Sequence, residues 1–543
     1  MTHAVPAATP VAGAALNPTL DASLDTPCPA STTGLAGALP RRISPAIALL
    51  AILVGATVLR VAFAAATGLG NDESYTVVTS RAVALSYFDH PPMAWWLARL
   101  SAWLMGSEAP AVVRAPFLVF SALSTVLMYR LTARLFDPWA GVLAALMMAC
   151  APVLGVTSAS WVLPDGPLIA FLLAATLVLA RVLFEPDAHP AGWLLAGLLG
   201  GLAMLSKYHG VFFFAGTLLF LLTSPRHRFW LGRAWPYAGA LVALAVASPV
   251  VIWNIQNDFI SLSFQASRAA AARFQPVMPL VVIGGIALFL TPWIWVGLVA
   301  AAVRAVRAHL RAPRGPSRSA ARGAARSWLL VCIGCGPVLL FPLVAAWSPA
   351  KPFFHWAAPG YLMLFPLLGH LMAQRWPRHP ATRRWAFGSA IFVATVMVAV
   401  MALARVPTLA AYGPGTPRDP LRELATWSDL SAAFLQQGLT ADRTPFVVSR
   451  IWHEGGKVGY ALGEDWPIAC IGDDCRGFRV THVEEDHVGD DAVIVVPAPA
   501  RPDDLAQIRS HFTRLEPLAT IDLRHAGAFV GTVSILIGRS YGR

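Results

Sequence analysis

Charge is what this sequence has least of. Asp, Glu, Lys and Arg together make up 13% of the chain, against roughly 25% in a soluble globular protein. That deficit, with 56% hydrophobic residues, excludes an ordinary soluble domain and implies a helical membrane protein. Lysine is scarcer still: Lys207, Lys351 and Lys457 are the whole supply, so the position of each is informative. Residues 1–40 lack an apolar run and a basic stretch near Met1. They read as a disordered cytoplasmic tail, not as a cleavable signal peptide. The six cysteines are scattered. Cys332 and Cys335 fall in an apolar span, where small packing residues are expected. Cys470 and Cys475 lie near the C-terminus and could pair if that region faces an oxidising compartment.

What is abundant is apolar sequence in long runs. Spans are expected near 43–66, 111–131, 139–157, 166–184, 191–206, 210–223, 235–253, 277–303, 328–347, 356–374 and 385–405, about eleven in all. The net charge of +12 does not point to nucleic acid, because of where it sits. Arg304, Arg307, Arg311, Arg314, Arg318, Arg322 and Arg326 crowd one loop between spans, as cytoplasmic loops do. Alternate loops repeat the bias, which places the N-terminus inside. An odd span count then puts residues 406–543 outside. Three regions follow: a tail (1–40), a transmembrane domain (41–405) and a periplasmic domain (406–543), in a multi-pass protein of a bacterial inner membrane.

The first outer loop, about 67–110, is more than a connector. Pro91 and Pro92 open a helix with a broad apolar face (Met93, Trp95, Trp96, Leu97, Leu100, Trp103, Leu104), suited to lying at the membrane interface. In the tail, strand candidates at 446–448, 466–471, 492–496, 518–523 and 529–537 alternate with helices at 453–462 and 502–513. That pattern implies a small α/β domain.

Ionisable groups gather at the outer ends of the spans, where placing them is costly and a functional reading is the default. Asp72 and Glu73 follow the first span. Asp89 and His90 come next, then Asp165 in Pro164-Asp165-Gly166-Pro167. Lys207 and His209 occupy one outer turn, Arg268 and Arg273 another, and Lys351 and His355 a third. A carboxylate there can deprotonate a hydroxyl, and cations can neutralise a phosphate. That combination suits transfer from a lipid phosphate.

The ordered motifs Asp72-Glu73-x-Tyr75, Tyr87-Phe88-Asp89-His90-Pro91-Pro92, Pro164-Asp165-x-Pro167, Ser206-Lys207-Tyr208 and Lys351-Pro352 with His355-Trp356-x-x-Pro359 resemble family 39-type bacterial glycosyltransferases. These belong to the GT-C class, with the protein O-mannosyltransferases and the lipid A aminoarabinose transferases. The resemblance covers about 45–405. It implies a GT-C fold, with juxtamembrane helices in the first periplasmic loop and about eleven transmembrane helices, plus the small C-terminal α/β domain. It also implies an undecaprenyl- or other polyprenyl-phosphate sugar as donor and an extracytoplasmic acceptor. Asp72 matches the family's base and Asp165 its supporting acid, with Glu73 the further catalytic candidate. Lys207, Lys351, Arg268, Arg273 and His90 are the candidates for the donor phosphate. His90 departs from the lysine found there in the aminoarabinose transferases. Asp89 and His355 are the candidates for a divalent metal ion, which the reaction need not require. The acceptor is a hydroxyl or phosphate of lipid A, another envelope glycan or a protein. No nucleotide-binding Gly-rich loop is evident, which fits a lipid-linked donor. The alternative is a transporter or lipid flippase, disfavoured because no repeat relates the two halves and the ionisable residues lie on one face. A non-catalytic envelope scaffold leaves the outer acids unexplained.

Overall fold

A computed structural model describes residues 43–269, 273–311, 318–348, 354–405, 423, 425–500, 502–525 and 528–542. The first span, α1 (Pro45–Ala66), starts where Ser44 caps the Ile47 amide at 3.3 Å and Pro45 takes the first turn. Its 22 residues make a rod of about 33 Å at 1.5 Å per residue. That matches a hydrocarbon core of roughly 30 Å. Ile47, Leu50, Val54, Val58 and Val61 stand exposed at helical spacing, as a lipid-facing side requires. On the other side, Arg60 is buried and its Nε donates to the Gly155 carbonyl at 2.8 Å. A π turn at Val153–Thr157 leaves that carbonyl available.

By length and composition, seven helices among the described residues suit a membrane crossing, and nine do if two bent pairs are each counted once. The expected eleven differ because several runs are broken. The 139–157 run bends by 87° and the 356–374 run by 58°. The 277–303 run splits into Met278–Phe289 and Pro292–Leu310. The break falls at Thr291, whose φ of 67° is left-handed, just before Pro292. Gly192–Ser206 and Tyr208–Thr223 are apolar but short. The largest core cluster fills the space among these helices.

Two juxtamembrane helices follow α1: α2 (Asn71–Ser80) and α3 (Met93–Met105). Trp95 is buried, its Nε1 donating to Thr79 Oγ1 at 2.8 Å. Leu100, Trp103, Leu104 and Met105 are exposed, the outward apolar edge expected of an interfacial helix. Gly106 ends α3 at φ 61°. The next span is α4 (Pro110–Leu135).

The C-terminal domain is a five-stranded mixed sheet in the order β2-β1-β3-β5-β4. The strands are β1 (Phe446–Ser449), β2 (Ile468–Cys470), β3 (Ala492–Pro497), β4 (Phe512–His525) and β5 (Ala528–Tyr541). β1 pairs parallel with β2 and β3, while β5 runs antiparallel to β3 and β4. The expected helix 502–513 stops at Arg509, and β4 starts earlier and runs longer than its pattern suggested. The domain docks through helix Trp452–Leu462, which lies against α2. A Cβ on Gly456 would stand 2.6 Å from the Tyr75 nitrogen, so only glycine permits that approach.

One buried ion pair joins the segments around α2. Arg114, from α4, donates through Nε and Nη2 to Glu73 Oε1 and Oε2 at 2.7 and 2.5 Å. Its remaining N–H groups bond the carbonyls of Ala64, Thr67 and Gly68 at 2.8–2.9 Å. Glu73 also accepts from the amides of Gly70 and Val162, each at 2.9 Å. Both side chains are shielded from solvent. Removing one partner of such a pair strands the other charge, at a cost of about 3–5 kcal/mol. Arg114→Met is therefore expected to collapse the yield and lower the melting temperature of the detergent-solubilised protein. An unchanged melting curve would contradict that role.

Candidate active site

The site forms where α2, the Tyr87–Pro92 loop, helix Ile260–Ala269 and the C-terminal domain meet. Asp72 stands one position before the buried Glu73 on the first turn of α2. Both line a cavity of about 560 Å³, but Asp72 is exposed where Glu73 is buried. The walls are largely apolar, including Phe63, Trp161, Thr291, Trp293, Phe392 and Val396. Asp72 is recessed among protein atoms although its surface reaches the cavity. Desolvation there pushes its pKa up to about 6, against the lowering effect of Arg476.

Asp89 is buried, with Tyr75 donating to Oδ1 at 3.1 Å and Arg476 Nη1 lying 3.4 Å from Oδ2. Its backbone carbonyl accepts from Gln265 at 2.6 Å. The Tyr75 hydroxyl in turn accepts from the Gly477 amide at 2.8 Å. Burial raises the Asp89 carboxyl above its ordinary range, with Arg476 opposing. Arg268 lies 4.3 Å over the Phe264 ring and 5.7 Å over Trp356. Burial, then the neighbouring Arg476, pulls its pKa down.

A second group lies beside the first. Lys207 donates to both oxygens of Asp165, at 3.0 and 2.8 Å, with both residues buried. Two of the three ammonium N–H donors are thus committed to a carboxylate. His355 is within electrostatic reach of Lys207, Asp165 and Arg268. His209 stacks on Phe341 at 5.0 Å, and neither of its ring nitrogens has a hydrogen-bond partner among the described residues. His90 joins the two groups, since it feels Lys207 and Asp165 on one side and Arg268 and Arg476 on the other. Burial and then Lys207 drive its pKa well below the ordinary value. It is neutral at physiological pH and able to offer a hydrogen bond but no charge; its Nδ1 is buried without a partner among the described residues.

The structure brings Asp72, Asp89, His90, Asp165, Lys207, Arg268 and His355 together. It does not bring Glu73 with them as an acid or base, because the Arg114 pair and two amides occupy its oxygens. Arg273 is exposed, and among the described residues no hydrogen bond or ion pair ties it to the cluster. Lys351 lies outside the described residues. No group of three or more His, Cys, Asp or Glu side chains suited to a metal exists among the described residues. Asp89 is engaged by Tyr75 and Arg476, and His355 is within electrostatic reach of Asp165, Lys207 and Arg268.

Sequence reading missed two contributors from the C-terminal domain. Arg476 reaches Asp89, and its guanidinium lies 3.8 Å over Trp452. Lys457, the third lysine, is buried, and its ammonium donates to the carbonyls of Leu69, Glu423 and Ala425 at 2.5, 2.6 and 3.0 Å. It thereby ties the domain to Leu69, two residues before α2. Scarcity of lysine was the available signal for Lys457. For Arg476 it was the adjacent cysteine pair, which is joined as a Cys470–Cys475 disulfide.

The chain is similar to several known proteins. The model of the dolichyl-phosphate-mannose-protein mannosyltransferase family matches residues 89–253. A lipid A galacturonosyltransferase, RgtD of Rhizobium johnstonii, is 28% identical over 360 residues, 62% of this chain and 67% of that protein. ArnT from Cupriavidus metallidurans, in the apo state, superposes with a TM-score of 0.61 at 15% identity, covering 91% of this chain and 98% of that one. The same protein bound to undecaprenyl phosphate gives 0.59 at 16%, covering 90% and 97%. The chain thus shares the ArnT fold and is similar over part of its length to the mannosyltransferase family model and to the galacturonosyltransferase, findings that together support a membrane glycosyltransferase of the GT-C class.

Proposed function

We propose that the enzyme transfers a sugar from a polyprenyl-phosphate carrier to a periplasmic acceptor, with inversion at the anomeric carbon. The observation that carries this reading is Asp72: a cavity-lining carboxylate between an apolar chamber and a cluster of cations. The acceptor oxygen attacks the anomeric carbon while the bond to the phosphate breaks. Asp72 takes the hydroxyl proton, and the carrier leaves as its phosphate. Arg268 supplies positive charge for the phosphate and His90 a neutral hydrogen bond. Asp165 and Lys207 hold each other and so fix the neighbouring wall. The apolar chamber suits a lipid chain. The name of the curated relative and the ligand of the ArnT complex both support a lipid-linked donor and a lipid A acceptor. Other envelope glycans and proteins are the alternative acceptors, which mass spectrometry of envelope lipids and glycoproteins from a deletion strain would separate.

Asp72→Asn keeps size but cannot accept a proton. Loss of a general base costs about 10²–10⁴-fold, so turnover should drop by at least roughly a hundredfold, with donor binding retained. Near-normal turnover would remove Asp72 from the role. The raised pKa also fixes the pH profile. The base works only when ionised, so kcat/KM should fall on the acid side, as pH drops through about 6. A rate flat from pH 5 to 8 would contradict a base with that pKa.

Lys207→Met strands the buried Asp165 carboxylate. A stability loss of about 3–5 kcal/mol is expected, with Asp165→Asn/Lys207→Met less damaging than the single change. If Lys207→Met instead keeps its melting temperature and only raises KM for the donor, the lysine binds phosphate directly.

We place the protein in a bacterial inner membrane, its N-terminus cytoplasmic and its C-terminal domain periplasmic. Loop charge bias and a disulfide in that domain support this orientation. A reporter fused after Arg543 should be active only in the periplasm. Cytoplasmic activity would overturn the orientation.

A further inference from the structure

The active site is not built by the membrane domain alone. Arg476 comes from the C-terminal domain, more than 380 residues after the aspartates it faces. Its guanidinium is largely buried, 3.4 Å from Asp89 and 3.4 Å from Asp474. It lies flat on Trp452 at 3.8 Å and approaches Phe264 at 5.9 Å. Phe264 also carries Arg268, at 4.3 Å. Two guanidinium groups thus converge on one aromatic ring. Like charges at such range repel, and the carboxylates of Asp89, Asp474 and Asp72 act on both of them. Arg476 Nε is buried with no hydrogen-bond partner among the described residues, so the side chain has donor capacity that its 3.4 Å contacts do not satisfy. Its backbone sits at φ 43°, left-handed for a residue with a side chain, a conformation that persists where surrounding structure enforces it. Two features enforce it here. The Cys470–Cys475 disulfide closes the loop immediately before Arg476. The next amide, that of Gly477, is held by Tyr75, where a Cβ would meet the Tyr75 oxygen at 2.5 Å.

We propose that Arg476 is a specificity-determining residue: it binds an oxyanion carried by the substrate beside Asp72, against the aromatic wall of Trp452 and Phe264. The proposal rests on reading the site as a lipid-phosphate glycosyltransferase. The oxyanion has two chemical sources, a carboxylate on the transferred sugar or a phosphate on the acceptor. Either would lie between Arg476 and Arg268 and relieve their repulsion. Loss of a bidentate guanidinium contact removes a charge-assisted interaction of the strong kind, whereas a substrate without the anion loses nothing. The disulfide loop is the device that presents the residue, so the C-terminal domain contributes to substrate choice as well as to stability.

The test uses the full-length enzyme in nanodiscs with synthetic polyprenyl-phosphate donors bearing a uronic acid or the matching neutral hexose. Each is paired with acceptor lipids carrying or lacking a phosphate. For Arg476→Gln, kcat/KM should fall roughly 10–100-fold further for the substrate bearing the anion than for its neutral counterpart, mainly through KM. Arg476→Lys should recover part of the loss. Selectivity that follows the donor assigns the anion to the sugar, and selectivity that follows the acceptor assigns it to the phosphate. Cys470→Ser/Cys475→Ser should reproduce the selective loss in milder form. Equal losses on all four substrate pairs, or none, would overturn the proposal while wild-type turnover leaves the glycosyltransferase reading standing. A wild-type enzyme that turns over none of these donors would overturn both.

Discussion

The placement of Asp72, the proposed base, depends on the buried ion pair beside it. Glu73 and Arg114 hydrogen-bond each other, the Thr67 hydroxyl and backbone, and between them they engage Ala64, Thr67, Gly68, Gly70 and Val162. The end of α1, the first turn of α2, α4 and the 158–165 segment are all fixed to one guanidinium–carboxylate fork. Because Asp72 precedes Glu73, the pair sets where the first turn of α2 begins and therefore where Asp72 stands. An Asp-Glu dipeptide at a span end thus divides its labour: one acid is locked in a buried ion pair and the other is left exposed. The roughly 100° between neighbours on a helix makes that division possible.

The same economy governs the rest of the site. Burying ions near a membrane is costly unless they are paired, and this chain pairs nearly all of them. Lys207 neutralises Asp165, Arg476 faces Asp89, and Lys457 donates hydrogen bonds to three carbonyls, with burial drawing its pKa down to about 8. Asp72 differs: its recess raises its pKa by desolvation rather than lowering it through a direct ion pair. A carboxylate tuned upward in this way is a better proton acceptor than one held in a salt bridge.

Much of this was legible in the sequence. The apolar runs, the arginine-rich loop and the strand pattern after residue 445 gave the membrane domain and the α/β domain, because periodicity and charge bias are local properties. The ordered motifs brought Asp72, Asp89, Asp165 and Lys207 to one place. What was not legible depended on contacts distant in sequence. Nothing local distinguishes Glu73 from Asp72; the partner that decides is 41 positions away, in α4. The run at 277–303 reads as one apolar stretch, yet Thr291 and Pro292 break it. Arg476 reads as an ordinary surface residue until the sheet and its disulfide loop carry it to Asp89.

That last case bears on how such enzymes diversify. The membrane domain holds the proposed base, its supporting ion pair and the apolar chamber, all of which the proposed transfer step needs whatever the sugar. The C-terminal domain meets this machinery through Gly456 against Tyr75, Lys457 against the Leu69 carbonyl, and Arg476 against Asp89. The first two contacts fix its position through close approach and hydrogen bonds to backbone. Only the third presents a charged group to the reaction space. A loop that can change in sequence without disturbing either core is a physically inexpensive place to alter what the site accepts. Charge selection by the docked domain and proton transfer by the membrane domain can therefore vary separately, provided that α2, against which both domains are packed, stays where Glu73 and Arg114 hold it.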